Sequence, residues 1–202
     1  ATGGFTNTSK KEPKYEFKVP NFNKTESVLE PSPEPVVEKG AINLPTISSL
    51  PDDNLAKEYV LSRKIPKGTH KDLFYAEDFK KFVNEFKPEY EKTLIDNDPR
   101  LIIPFRDKHK KVFAIQGRSL NGSKIRYITI KIVDDTPKIY GLDKLKSGTT
   151  YVVEGPIDSM FLDNAIATAD ANLSGIEREH FNDLVLIYDN EQIGRAHVWT
   201  PV

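Results

Sequence analysis

Three acidic side chains follow apolar runs, and their placement is the first chemistry that the sequence offers. Tyr151-Val152-Val153 is a short apolar segment of the kind buried in parallel sheets. It ends on Glu154, before Gly155-Pro156 forces a turn. Leu184 to Tyr188 is a second such run, and it ends on Asp189-Asn190-Glu191. Open α/β sheets collect their ligands at the carboxyl ends of the strands, so parallel pairing of these runs would gather Glu154, Asp189 and Glu191 at one edge. Carboxylates gathered in this way repel one another unless a cation neutralises them, and hard oxygen donors suit Mg²⁺. Taken alone, Glu154 also reads as a solvated turn acid; the second strand weakens that reading.

Those acids need a sheet to hold them. Ile157, Met160 and Phe161 predict the apolar face of a helix, with Pro156 or Asp158 near its start. Ile166 to Ala169 predicts another strand, Ala171 to Gly175 its outlet loop, and Ile176 to Phe181 a crossover helix. Asp170 reads as a helix cap or turn residue. Upstream, residues 100–140 predict an antiparallel module. Leu101 to Phe105 and Val112 to Gly117 are strands on either side of the charged turn RDKHKK, and Asn121-Gly122 marks the next turn. In the strand from Ile125 to Val133, Ile128, Ile130 and Ile132 fall on one face. Further upstream, Asp53 to Ser62 predicts a helix capped by Asp52 or Asp53. Ala76 to Phe86 predicts another, with Phe79, Phe82, Val83 and Phe86 on a core-facing stripe. Residues 1–52, with the run PSPEPVVEKG, read as a disordered linker that cannot build a core.

Composition bounds the function class. The 202 residues contain no cysteine, so no disulfide and no cysteine-built zinc site lies within them. No apolar run is long enough to span a membrane, and no secretory signal opens the chain, so the reading is an intracellular protein with no membrane partner. The overall net charge of −1 conceals an asymmetry. Residues 101–150 hold 8 Lys and 3 Arg against 4 Asp, a net +7, whereas residues 151–202 hold 9 acids against 2 Arg, a net −7. A basic half beside an acidic half suggests a nucleotide or nucleic-acid contact next to a metal site; two faces that merely pair with each other is the plainer alternative.

The strand-Glu-Gly-x-x-Asp pattern, followed by an apolar strand and Asp-x-acid, resembles the Toprim domain of DNA primases and topoisomerases. EGPIDSMFL followed by IYDNE is most similar to the primases of T4-type phages. The resemblance implies that Glu154 acts in phosphoryl transfer and that Asp189 with Glu191 binds Mg²⁺ or Mn²⁺. Glu191 departs from the commoner Asp-x-Asp. PFRD, QGRSL and KIRYI resemble the basic subdomain of bacterial-type primases, which implies nucleotide or DNA contacts for Arg106, Arg118, Lys124, Arg126 and Tyr127. Arg grips phosphate oxygens with a planar fork. Gly117 would let the backbone approach a nucleotide or would serve a bulge, and Lys108, Lys110 and Lys111 read as an exposed hairpin tip. Tyr59 and Arg63 fit a Tyr-x-x-x-Arg pattern, and Tyr140-Gly141-Leu142 a Tyr-Gly-Leu that precedes the Toprim strand.

The fold class so implied is α+β / α/β: a basic mixed subdomain at 53–147, then an incomplete Toprim parallel sheet at 148–192. The function implied is template-directed synthesis of RNA primers. Its partners would be single-stranded DNA, ribonucleoside triphosphates and the replicative helicase, in the cytoplasm of a phage-infected cell. Zinc belongs only to a module expected upstream of Ala1. Rival readings are a Toprim nuclease or topoisomerase, and a non-catalytic module that binds single-stranded DNA or helicase.

The last ten residues, IGRAHVWTPV, match a translation of ATC GGA AGA GCA CAC GTC TGA ACT CCA GTC, the start of a sequencing adapter, with TGA read as Trp. On this reading Ile193 to Val202 are a non-native tail, and Gln192 straddles the junction. His197 and Trp199 are therefore excluded from the site. The chain is expected to be a fragment, inactive alone, with an exposed sheet edge after Tyr188 that lowers solubility.

Overall fold

In a computed structural model, the structure describes residues 42–134, 136–169 and 183–188. Helix α1 is Leu55–Ser62, and strand β1 is Phe74–Ala76. Helix α2 is Phe79–Asn84, followed by strands β2 (Arg100–Arg106), β3 (Val112–Ser119) and β4 (Tyr127–Lys131). Strand β5 is Thr149–Val153, α3 is Pro156–Ser159, β6 is Ala165–Ala167 and β7 is Asp183–Leu186. The first four strands form one antiparallel sheet in the order β1-β2-β3-β4, and the last three a parallel sheet in the order β6-β5-β7. This is the mixed α+β and α/β class expected. None of the described helices is long and apolar enough to cross a membrane.

The antiparallel sheet is apolar on both faces because β2 and β3 alternate between two cores. Leu101, Ile103 and Phe105 face α1 through Ala56 and Val60, whereas Ile102 and Ile115 face α2 through Phe79, Phe82 and Val83. The first of these cores continues into the parallel sheet through Tyr140, Val153, Ile157 and Ala167. Tyr140 joins the two sheets. Its ring meets Phe105 edge-on at 5.7 Å, and its backbone exchanges hydrogen bonds of 2.8 and 3.1 Å with Ala167. Gly141 follows with φ at +91°, where an added Cβ would lie 2.8 Å from the Ala165 carbonyl oxygen, so this turn requires glycine.

Several sequence expectations need correction. Residues 42–52, counted with the disordered linker, are packed in place: Ile47 is fully buried and its N–H donates to the Leu73 carbonyl at 2.8 Å. One well-placed isoleucine and a β-bridge from Thr46 to Phe74 override the composition of that stretch. Helix α1 is capped by Asn54, not Asp52 or Asp53; its Oδ1 accepts from Ala56 N–H at 2.9 Å. The helix predicted from Ala76 starts instead at Phe79, because Ala76 pairs with Arg100 in β1 and Asp78 supplies the cap through Lys81 N–H. The helix after Glu154 is a single turn. The connection 154–164 must carry the chain back to a parallel neighbour, and it is no longer than such a crossover needs (about a dozen residues). Phe161, expected on the apolar face, is half exposed. The expected loop 171–175, the crossover helix 176–181, Asp170 and the tail 193–202 lie outside the described residues.

Candidate active site

Glu154 emerges from the carboxyl end of β5, the central strand of the parallel sheet. Its backbone is held in the fold: the Glu154 carbonyl accepts from Ala169 N–H at 3.0 Å, and the Val153 carbonyl from Thr168 N–H at 3.2 Å. Its side chain is partly exposed, and no donor among the described residues holds its carboxylate. Gly155 then caps α3, and the Asp158 carboxylate folds back over it. A Cβ added at Gly155 would lie 2.3 Å from Asp158 Oδ2, so the close turn that follows Glu154 depends on glycine. On the other side of β5, β7 runs parallel, with Thr149 opposite Asp183 through Val152 opposite Leu186, and Ile187 N–H extends the ladder to the Val152 carbonyl at 2.8 Å. Asp189 and Glu191 follow in sequence but lie outside the described residues. Among the described residues, no group of three or more His, Asp or Glu could hold a metal ion.

Arg118 is the most constrained of the expected cations. It projects from β3 opposite Leu101 and Tyr127, toward α1. Its guanidinium lies 4.8 Å from the Tyr127 ring centroid and 5.5 Å from that of Tyr59, and its Nε donates to the Tyr59 hydroxyl at 3.2 Å. Each ring contact contributes about 0.5–1 kcal/mol in partly exposed settings and more when dry. Arg118 Nη1 is buried without a hydrogen-bond partner, which leaves one arm of the fork for a ligand oxygen. Burial raises the Tyr127 phenol above its ordinary value. The neighbouring Arg118 pulls it back, and the hydroxyl of Tyr59 and the carboxylate of Asp158 push it up. The influence of Asp158 on Tyr127 puts the aromatic clamp of Arg118 near the turn that begins at Glu154.

The other expected cations separate. Arg126 and Lys124 are exposed in the β3–β4 connection; the Arg126 carbonyl accepts from Ser119 N–H at 2.9 Å. Arg106 stands at the opposite end of β2 from Arg118, opposite Val112, about 17 Å away along the strand at roughly 3.3 Å per residue. The tip that carries Lys108, Lys110 and Lys111 is an exposed turn, organised by Asp107 Oδ1, which accepts from His109 and Lys111 N–H. Gly117 is filled from its own side: an added Cβ would meet Phe79 Cε2 at 2.8 Å and Arg100 Cδ at 2.9 Å. Packing against a phenylalanine and an arginine, rather than access for a nucleotide, is what this glycine serves. Tyr59, paired by pattern with Arg63, in fact partners Arg118. Sequence reading also passed over Asp98 and Arg100, an ion pair at 2.6 Å with both side chains almost completely buried. The Asp-Pro-Arg that carries it reads as an ordinary turn.

No family model matches the chain. It is 36% identical over 166 residues to the DNA primase of Enterobacteria phage T4, a match that covers 81% of this chain and 48% of that protein. The chain is a relative of the T4-type phage DNA primases. It spans about half the length of this curated primase. Solved primase structures share its fold. A DNA primase domain from Pseudomonas aeruginosa superimposes with a TM-score of 0.56 at 22% identity, over 73% of this chain and 58% of that one. The Aquifex aeolicus primase, solved with its zinc-binding and RNA polymerase domains, gives 0.52 at 24% identity, over 68% and 43%. The DnaG primase catalytic domain bound to single-stranded DNA gives 0.55 at 18% identity, over 75% and 59%.

Proposed function

We propose that the chain carries part of the catalytic core of a DNA primase and takes part in RNA primer synthesis on single-stranded DNA by metal-dependent nucleotidyl transfer. The observation that carries this reading is Glu154 at the carboxyl end of the central parallel strand, beside the clamped Arg118, in a chain with 36% identity to a phage primase. In this reading residues 53–147 form the basic subdomain and 148–192 the start of the Toprim sheet. Glu154, Asp189 and Glu191 form the divalent-metal site, for Mg²⁺ or Mn²⁺. The carboxylate of Glu154 suits such an ion: it is a hard oxygen donor at a strand end, with no competing donor among the described residues. When bound, the ion would neutralise charge on the triphosphate and on the departing pyrophosphate.

The protein's own residues do the positioning. Glu154 orients the reacting end of the primer or accepts its 3′-hydroxyl proton. Arg118, fixed by Tyr59 and Tyr127, presents its unpartnered Nη1 to a phosphate oxygen of the template or incoming nucleotide. Arg126, Tyr127 and Lys124 extend that contact along single-stranded DNA, and Arg106 serves a separate stretch of backbone. A replicative helicase would be the protein partner. Zinc has no cysteine ligand in this chain.

The test is incorporation of labelled ribonucleotides on a single-stranded template by the protein recloned from its source gene. Product that needs template, all required ribonucleotides and Mg²⁺, and that chelation abolishes, is the expected result. Nicking of DNA without ribonucleotides would support the Toprim nuclease reading instead.

A further inference from the structure

On the α2 face of the antiparallel sheet, between the β3–β4 connection and residues 93–98, lies a cavity of about 550 Å³ that the site above does not use. Asp98 and Arg100 line it, and every polar group of that pair but one is engaged. Arg100 Nε donates to Asp98 Oδ2 at 2.6 Å, Nη1 to the Gly117 carbonyl at 2.9 Å, and Nη2 to the Ile125 carbonyl at 3.0 Å. Asp98 Oδ1 is buried and has no hydrogen-bond partner, in a residue only 1% exposed. A buried carboxylate oxygen left without a donor is costly, so this cavity demands an N–H or O–H from whatever fills it. Its remaining walls fix the class of that group. Ile95 and Ile125 line it although they are more than half exposed, two aliphatic surfaces left bare to water. Lys124 also lines it and its side chain is exposed, a cation placed for a phosphate.

We propose that this cavity binds a nucleobase with an exocyclic amino group, which donates to Asp98 Oδ1, packs between Ile95 and Ile125, and has its phosphate held by Lys124. Adenine and cytosine carry that donor; thymine offers a carbonyl oxygen in its place, which two acceptors facing each other would reject. The site would give a primase a base preference away from its metal centre. The inference rests on reading the chain as a protein that handles nucleic acid.

Fluorescence anisotropy of the whole chain with dye-labelled d(A)₃, d(C)₃ and d(T)₃ tests it. Hydrogen bonds to a charged acceptor predict that d(A)₃ and d(C)₃ bind roughly tenfold tighter than d(T)₃. Thr93→Trp, at an exposed position on the cavity wall, should abolish the preference while leaving the circular dichroism spectrum unchanged. It leaves the Asp98–Arg100 pair intact. The ¹³C carboxylate resonance of Asp98 should move with d(A)₃ and stay still with d(T)₃. Displacement of d(A)₃ by adenosine monophosphate assigns the site to a free nucleotide, and resistance to it assigns the site to a base in a strand. Equal affinity for the three trinucleotides, or a preference that survives Thr93→Trp, overturns the proposal and leaves Asp98 Oδ1 to a buried water. Absence of any binding overturns both this inference and the nucleic-acid reading beneath it.

Discussion

Arg100→Met is the substitution whose cost the structure defines most closely. Arg100 and Asp98 are 1% and 2% exposed at their side chains, and the pair closes at 2.6 Å. The same guanidinium ties two strand-end carbonyls, those of Gly117 and Ile125, and lies 5.3 Å from the Phe79 ring centroid. Methionine keeps much of the volume but removes the charge, so Asp98 is left buried without its cation. Breaking a buried pair from one side costs about 3–5 kcal/mol, a large share of the roughly 5–15 kcal/mol that holds a domain folded. At about 2–4 °C per kcal/mol for a chain of this size, the melting temperature should fall by about 6–20 °C, measured by circular dichroism with urea titration as a check. Removing both charges separates pairing from packing. The double variant Asp98→Leu/Arg100→Met should recover at least half of the loss, since an apolar pair of similar volume is often as stable as the ions it replaces. A single variant within about 1 kcal/mol of the parent, or a double variant worse than the single, would refute the reasoning.

Three further outcomes are expected. Gly117→Ala drives a methyl into Phe79 and Arg100 and should destabilise by about 1–3 kcal/mol, read by urea denaturation; a neutral result would contradict the close packing on that face. Asp78→Ala removes the α2 cap and should cost about 1 kcal/mol at neutral pH. Burial alone would raise the Asp78 carboxyl, but the N–H groups of Lys81 and Asn97 and the Lys81 ammonium outweigh it and hold it below the ordinary 3.8. Because the folded-state pKa is depressed, this contribution is full above the unfolded value and fades as pH falls through the folded one. Parent and variant stabilities should therefore converge in acid below pH 3.8, and a gap that persists there would count against the assignment. Arg118→Lys keeps the charge but loses the planar fork and the ring contacts. It should weaken binding of labelled single-stranded DNA about tenfold with little change in melting temperature, and unchanged affinity would remove Arg118 from the interface.

Much of this architecture is legible in the sequence where one face of an element is buried and the pattern repeats. The β2–β3–β4 module shows alternating isoleucines and an Asn-Gly turn, and Tyr151 to Val153 is a continuous apolar run; both formed as expected, with Glu154 at the strand end. What escaped notice depends on partners distant in the chain. Strand β1 is three residues long and exists because β2 offers it a ladder, so no local periodicity marks it. Ile47 sits in a stretch whose proline and charge content suggest a linker, yet a single buried side chain and a hydrogen bond to Leu73 fix it. Arg100 is charged and follows a proline, which reads as surface, whereas its interior role rests on Asp98 and two carbonyls from other elements. The clamp on Arg118 was half visible: Tyr127 was expected beside it, but Tyr59, 59 residues away, had been paired with Arg63. Motifs identified the acids because they lie along one chain, and their meeting with the basic subdomain is a property of the fold.

The central claim is that Glu154 works in nucleotidyl transfer. Its most direct measurement compares template-dependent ribonucleotide incorporation by two proteins recloned across codon 192 that differ only in Glu154→Gln, at equal DNA affinity and with saturating Mg²⁺. The account predicts a fall of roughly 100-fold or more, because the substitution keeps the shape of the side chain while removing its charge and basicity. Incorporation within about twofold of the parent would contradict it, since loss of a carboxylate that does this work costs far more.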